Sequence, residues 1–131
     1  MVNTLPPESP RRDVVILVED DEGLRVALLR LLRAFGFRAY GYASAEALLD
    51  DPRAARADCL VVDVNLPAMS GLELVIRLRR RGLQMPAVAI SAHDEAGMRE
   101  AVRSGGVERF LGKPFPGRAL VSAVNELIAA R

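Results

Sequence analysis

A regular alternation between two residue patterns constrains the fold of this chain more than any other feature. Five short segments are mostly apolar or β-branched, as strands are, and longer segments with apolar residues at helical spacing follow them. The strand-like segments are DVVILV (13–18), FRAYGY (37–42), DCLVVD (58–63), AVAIS (87–91) and RFLGK (109–113). The alternation predicts an α/β domain with a parallel sheet, and the largely apolar strands predict helices on both faces.

Capping residues mark the ends of the predicted helices. Serine and aspartate side chains can accept hydrogen bonds from the free backbone amides at a helix start, and glycine is common just past a helix end. The five predicted helices run from Asp21 to Gly36, from Ser44 to about Asp50, from Ser70 to Gly82, from about 95 to 104, and onward from Pro116. The fourth is the weakest prediction, because Gly97 lies inside it.

Length and composition indicate one domain with little general affinity for nucleic acid or membranes. The chain has 131 residues, half of them hydrophobic, with 18 Lys and Arg against 17 Asp and Glu. Such a length fits a single core, and the near-neutral charge gives no electrostatic reason for binding nucleic acid or membranes. Residues 1–12 (MVNTLPPESPRR), with three prolines, predict a disordered lead before a domain at 13–131.

Cysteine content and hydropathy favour a cytoplasmic protein. Cys59 is the one cysteine, so an internal disulfide is impossible, and its apolar strand predicts a buried thiol. No apolar run approaches the roughly 18 residues of a membrane span, and the N-terminal residues lack the apolar segment of a signal peptide.

Polar side chains follow four of the predicted strands. Glu19 and Asp20 come after the first strand, Asp63 ends the third, Ser91 the fourth and Lys113 the fifth. Each has an ordinary explanation, since acids favour helix starts, serine suits turns and lysine suits surfaces. No such ordinary explanation suits Asp63 well, because a carboxylate at the end of the apolar run CLVV must be paired or solvated. Since parallel strands bind ligands at their carboxyl ends, the joint placement predicts one site.

The charges of this predicted site point to a divalent cation. Neighbouring carboxylates repel each other by roughly 4 kcal/mol per close pair at an effective dielectric near 20, so a positive group must lie among them. Magnesium prefers carboxylate oxygens, water and phosphate, whereas the chain has no His and Cys cluster for zinc. Three carboxylates, Mg²⁺ and Lys113 sum to zero charge. A carboxylate beside the cation can attack a phosphoryl group and form an aspartyl phosphate.

Four motifs in order resemble the response-regulator receiver domain of two-component signalling. They are ILVEDDE, LVVDVNLPAMSG, AVAISAH and FLGKPF, and the resemblance extends over about residues 13 to 130. It implies a flavodoxin-like five-stranded sheet of order 2-1-3-4-5. It also implies that Asp63 is the phospho-acceptor and that the metal is Mg²⁺ or Mn²⁺.

The resemblance assigns roles to the other residues of the site. Asp20 would be a direct metal ligand, Glu19 would act through water, and the backbone carbonyl of Asn65 would complete the protein ligands. Ser91 would donate a hydrogen bond to the phosphoryl group, and Lys113 would form an ion pair with it. The Lys113–Pro114 peptide bond is expected to be cis.

Several positions depart from the commonest receiver pattern. Phe110 stands at the switch aromatic and has no hydroxyl, and Gly105 and Gly106 replace a frequent alanine, so we expect more flexibility there. Asn65 and His93 correspond to positions that tune phosphate lifetime. For His93, an ordinary exposed loop histidine is an equal alternative.

The expected partners are a histidine kinase or histidine phosphotransfer protein as donor, and a downstream protein on the face of the fourth helix, fifth strand and fifth helix. Dimerisation on phosphorylation stays open. The main hypothesis is a stand-alone receiver that catalyses only its own phosphorylation and dephosphorylation. A first alternative is the receiver of a DNA-binding regulator, since KPF resembles nitrogen-fixation-type regulators. A second is a haloacid-dehalogenase-like phosphatase, which requires an acid where this chain has Asn65.

Overall fold

The computed structural model describes residues 13–93 and 96–131, so the predicted disordered lead at 1–12 lies outside the described residues. Its five strands form one parallel sheet of order β2-β1-β3-β4-β5, as predicted. They are β1 (Val14–Val18), β2 (Arg38–Tyr42), β3 (Cys59–Asp63), β4 (Ala87–Ser91) and β5 (Arg109–Gly112). Each agrees with its predicted segment to within one residue at either end.

Within the described residues, five α-helices cover the two faces of the sheet. They are α1 (Glu22–Ala34), α2 (Ala45–Leu49), α3 (Gly71–Arg80), α4 (Ala96–Ser104) and α5 (Gly117–Ala129). Side chains of α1 and α5 pack with one set of strand residues, including buried Cys59, and those of α2, α3 and α4 pack with the other set. A short 3-10 helix, Pro52–Arg56, precedes β3 and was not predicted, because five residues that begin with a proline carry no helical period.

Three of the five predicted helix starts are confirmed by side-chain caps. Asp21, Ser44 and Ser70 each accept a hydrogen bond from the amide three residues on, at 3.0–3.1 Å. Gly97 proves compatible with a helix, since it lies within the described span of α4.

Glycines end three of the helices in the left-handed conformation. Gly36, Gly82 and Gly106 have φ of 96°, 86° and 97°. In each case the amide of the next residue donates to a carbonyl five residues earlier, which satisfies the free end of the helix. Beside Gly106, a side chain at Gly105 would come within 2.2 Å of Leu72. Both glycines therefore have a steric role, and the added flexibility expected of them stays a prediction.

None of the helices in the described part of the chain is long and apolar enough to cross a membrane.

Candidate functional site

The sheet topology brings the predicted site residues together at one edge. Glu19 follows β1, Asp63 ends β3, Ser91 ends β4 and Lys113 follows β5. Glu19 and Ser91 are fully buried, and Asp63 is nearly so. The backbone ties neighbouring strand ends to each other, since the amide of Lys113 donates to the carbonyl of Ser91 at 2.7 Å. The prediction that these side chains converge is thus correct.

Lys113 bonds to two of the carboxylates. Its Nζ donates to Glu19 Oε1 at 2.9 Å and to Asp63 Oδ2 at 3.0 Å. Burial lowers the pKa of Lys113, but these two bonds outweigh burial and raise the pKa above its usual value. The lysine therefore stays charged and offsets part of the negative charge of the pocket. The bond between Lys113 and Pro114 is cis, as predicted.

Glu19 lies in the least solvated position of the three acids. Burial raises the pKa of Glu19 to about 7, although the bond from Lys113 lowers it, and the neighbouring Asp63 adds to the rise. Its second oxygen accepts from the amide of Asp21 at 3.2 Å. Both oxygens of Glu19 are thus engaged with protein donors, and its contact with a metal through water stays a prediction.

The three acids form a group with the chemistry of a divalent-cation site. One carboxylate oxygen each from Glu19, Asp20 and Asp63 lies within 4.8 Å of the others. Asp20 is exposed, so it can offer oxygens to an ion that keeps part of its water shell. Hard oxygen donors with access to water suit Mg²⁺, so the residues present fit the predicted ion.

Asn65 links the carboxylate of Asp63 to the hydroxyl of Ser91. Its amide donates to Asp63 Oδ1 at 2.9 Å, and its side-chain Oδ1 accepts from Ser91 Oγ at 2.5 Å. Ser91 Oγ also accepts from the amide of His93 at 2.9 Å, while the His93 side chain is exposed. The sequence predicted roles for all four residues, but it did not reveal the bond between Asn65 and Ser91.

Phe110 belongs to β5, and its side chain lies outside the pocket, against Arg99 of α4. The half-buried ring packs against the core of the α2, α3 and α4 face, and the guanidinium of Arg99 lies 4.6 Å from its centroid. This cation–π contact was not foreseen from the sequence, because only the fold brings α4 over β5.

Two further residues next to the acids of the site have structural roles. Asp21 caps α1, so the ordinary explanation of an acid at a helix start is correct for it. Arg25, one turn into α1, donates from Nη1 to the carbonyl of Glu19 at 2.8 Å. The contact of Arg25 was not predicted, because its only signal in the sequence is its position one helical turn beyond the acids.

Comparisons with known proteins agree on one family. The family model described as "Response regulator receiver domain" matches residues 15–125. Nodulation protein W of Bradyrhizobium diazoefficiens is 34% identical over 117 residues, which cover 89% of this chain and 52% of that protein. The transcriptional regulatory protein FixJ of Azorhizobium caulinodans is 34% identical over 111 residues, covering 85% and 53%.

Solved structures agree on the fold. The receiver domain of the Francisella response regulator 1452 superposes with a TM-score of 0.82 at 22% identity, covering 91% of this chain and 98% of that one. The chain spans about half the length of the curated relatives it matches.

Proposed function

The chain belongs to the response-regulator receiver family of two-component signalling, and from this premise we propose that Asp63 accepts a phosphoryl group. The donor would be a histidine kinase or a histidine phosphotransfer protein. The observation that carries the proposal is the position of the Asp63 carboxylate, which ends β3 between Lys113 Nζ at 3.0 Å and the acids Glu19 and Asp20.

The transfer needs only positioning and neutralisation of charge. A carboxylate oxygen of Asp63 would attack phosphorus, the N–P bond of the donor phosphohistidine would break, and the imidazole nitrogen would take the bonding electron pair. Lys113 is already within hydrogen-bond distance of Asp63 and would form an ion pair with the new phosphoryl group. Receivers are signalling proteins rather than ordinary enzymes, so self-catalysed phosphorylation and dephosphorylation complete the proposed chemistry.

The proposed cofactor is Mg²⁺, with Mn²⁺ as a substitute. Asp20, Asp63 and the backbone carbonyl of Asn65 would hold it directly, and Glu19 through water. When bound, the ion would offset the negative charge that the carboxylates and the phosphoryl oxygens bring together.

The proposed output is a change of the face formed by α4, β5 and α5, with Ser91 and Phe110 as switch residues and Asn65 and His93 as lifetime tuners. Phosphorylation adds close to one negative charge to the pocket, which a donor such as the Ser91 hydroxyl would have to meet. A downstream protein would read the face, and a cytoplasmic location of the 13–131 domain belongs to the same proposal.

Labelling by a small phosphodonor tests the central claim. Acetyl phosphate with Mg²⁺ should add one phosphoryl group, found at Asp63 by mass spectrometry. Asp63→Asn should abolish the label, and Asp50→Asn, which alters an exposed carboxylate at the end of α2, should leave it unchanged. Label that persists in Asp63→Asn, or that forms equally well in excess EDTA, would contradict the proposal.

A second candidate is the receiver portion of a DNA-binding regulator. It is favoured by one observation: the chain matches about half of its curated relatives, which include a transcriptional regulatory protein. DNA binding by the natural full-length gene product would test it. The phosphatase alternative has no support, since the family match is to receivers.

A further inference from the structure

The hydroxyl of Ser91 already has an acceptor before any phosphoryl group arrives. Ser91 is fully buried, and its one hydroxyl proton is directed to Asn65 Oδ1 at 2.5 Å. The oxygen of the same hydroxyl accepts from the amide of His93. Because a serine hydroxyl carries a single proton, it cannot also donate to a phosphoryl oxygen on Asp63 without leaving Asn65.

We propose that the side chain of Asn65 is a positioning residue that holds Ser91 in the resting arrangement and so sets the threshold for activation. The inference rests on the proposed function, because it needs Ser91 to move to a phosphoryl group on Asp63. Asn65 is well placed for this role, since its own amide is fixed by Asp63 Oδ1 at 2.9 Å.

The physical reason is the cost of an unsatisfied buried hydroxyl. With Asn65 present, the resting arrangement satisfies Ser91 and activation must exchange one hydrogen bond for another. With the side-chain amide removed, the buried hydroxyl loses its acceptor in the resting arrangement only, and the balance moves toward the arrangement that bonds the phosphoryl group. Asn65 therefore opposes activation through Ser91, rather than through the metal.

The test is a beryllofluoride titration at saturating Mg²⁺, followed by the amide resonances of isotope-labelled protein. Asn65→Ala should bind this phosphoryl mimic about 2–10-fold more tightly than wild type, the factor that corresponds to one neutral hydrogen bond. In a Ser91→Ala background the same substitution should change affinity by less than about twofold, because the hydroxyl it restrains is gone. Asn125→Ala, which removes an exposed asparagine from α5, is the matched control and should leave affinity unchanged.

Two further measurements distinguish this restraint of Ser91 by the Asn65 side chain, called the Asn65 latch below, from a general disturbance of the loop after β3. Mg²⁺ affinity without beryllofluoride should be the same in Asn65→Ala, because alanine keeps the backbone carbonyl proposed as ligand. The second readout is the amide chemical shifts of Ser91 and of α4 in Asn65→Ala without beryllofluoride. They should lie on the line that joins the shifts of free wild type to those of beryllofluoride-bound wild type, because the substitution shifts the population between the same two arrangements.

The possible outcomes distinguish failure of the Asn65 latch from failure of the proposed function, which is phosphoryl acceptance by Asp63. If wild type binds beryllofluoride through Asp63 but Asn65→Ala binds equally or more weakly, the latch is refuted and the proposed function stands. An equal gain in both Ser91 backgrounds also refutes it. If wild type fails to bind beryllofluoride at all, the proposed function is refuted, and the latch with it.

Discussion

The first three acids of the EDDE run (residues 19–22) meet different environments within a few ångströms. Glu19 is buried against Lys113, Asp20 faces solvent, and Asp21 is the cap of α1. Buried charges are tolerated only when paired, whereas an exposed acid is free to exchange water for a ligand. Identical side-chain chemistry can therefore support separate roles at neighbouring positions.

Replacing Asp20 and Lys113 would separate the proposed metal ligand from the proposed phosphate-binding cation. Asp20→Asn should weaken Mg²⁺ binding by about 1–3 kcal/mol, because it removes a charged partner of the ion. Lys113→Ala removes a cation that repels the metal, so Mg²⁺ affinity should stay the same or increase. Titration calorimetry measures both, after circular dichroism has confirmed that each variant is folded.

Equal weakening by both substitutions would mean that these roles are misassigned. Asp13→Asn supplies a control, since it removes a carboxylate from a position before β1, at the opposite end of that strand from the site.

Cys59 should be unreactive in the folded protein. Burial raises the pKa of its thiol to about 12, so the reactive thiolate is scarce at pH 8. A disulfide reagent such as DTNB should label it only in denaturant. Rapid native labelling would contradict the buried position.

The same thiol makes a pH-dependent contribution to stability. Its pKa is higher in the folded chain than the ordinary thiol value of 9.0, so the folded state binds the proton more strongly. The contribution is complete below pH 9 and is lost as pH rises toward 12. In urea unfolding over this range, Cys59→Ala should show a smaller decline in stability than wild type, and equal slopes would refute the assignment.

At the scale of elements, Arg79 ties the end of α3 to two loops. Its Nη1 donates to the carbonyls of Leu83 and Met85, at 3.1 and 2.8 Å, and its Nη2 donates to that of Gly106 at 2.9 Å. These carbonyls precede β4 and β5, so one side chain fixes the entry to both strands.

Arg79→Ala should therefore destabilise the fold by about 1.5–3 kcal/mol, the range for hydrogen bonds made by a charged group. The adjacent Arg80 is exposed and supplies the control, since Arg80→Ala should stay within about 0.5 kcal/mol of wild type. Urea unfolding measures both, and equal losses would contradict the bracing role of Arg79.

Strands, caps and strand-end residues were predictable because each depends on local sequence. Mostly apolar segments predicted β1 to β5. Ser44 and Ser70 predicted helix starts because a serine hydroxyl can accept a hydrogen bond from a free backbone amide. What could not be predicted depends on contacts between distant segments. The Asn65–Ser91 bond joins residues 26 positions apart, and the Leu72 contact that keeps Gly105 small joins α3 to the end of α4.

At the scale of the whole molecule, the pocket and the α4–β5–α5 face share two adjacent strands. Ser91 pairs with Gly112, and Phe110 pairs with Ala89 two residues earlier in the same ladder. Arg99 of α4 covers the Phe110 ring. A change at Ser91 can thus reach α4 through one strand pair and one aromatic side chain, provided that the ring has two arrangements.

Phe110→Ala should uncouple that face from the pocket. The substitution leaves Glu19, Asp63, Ser91 and Lys113 in place, so beryllofluoride should still bind with Mg²⁺ and shift the amides at the strand ends. Without the ring, neither the packing against the core nor the contact with Arg99 can change, so the shifts along residues 96–125 should largely disappear. Phe110→Leu keeps apolar volume but not the cation–π contact, so it should show only part of the wild-type amide shifts along residues 96–125. Phe35→Ala removes an aromatic ring that is 58% exposed at the end of α1, and it should behave as wild type. If Phe110→Ala shows the full wild-type shifts on α4 and α5, the signal leaves the pocket through the backbone and the ring is not its carrier.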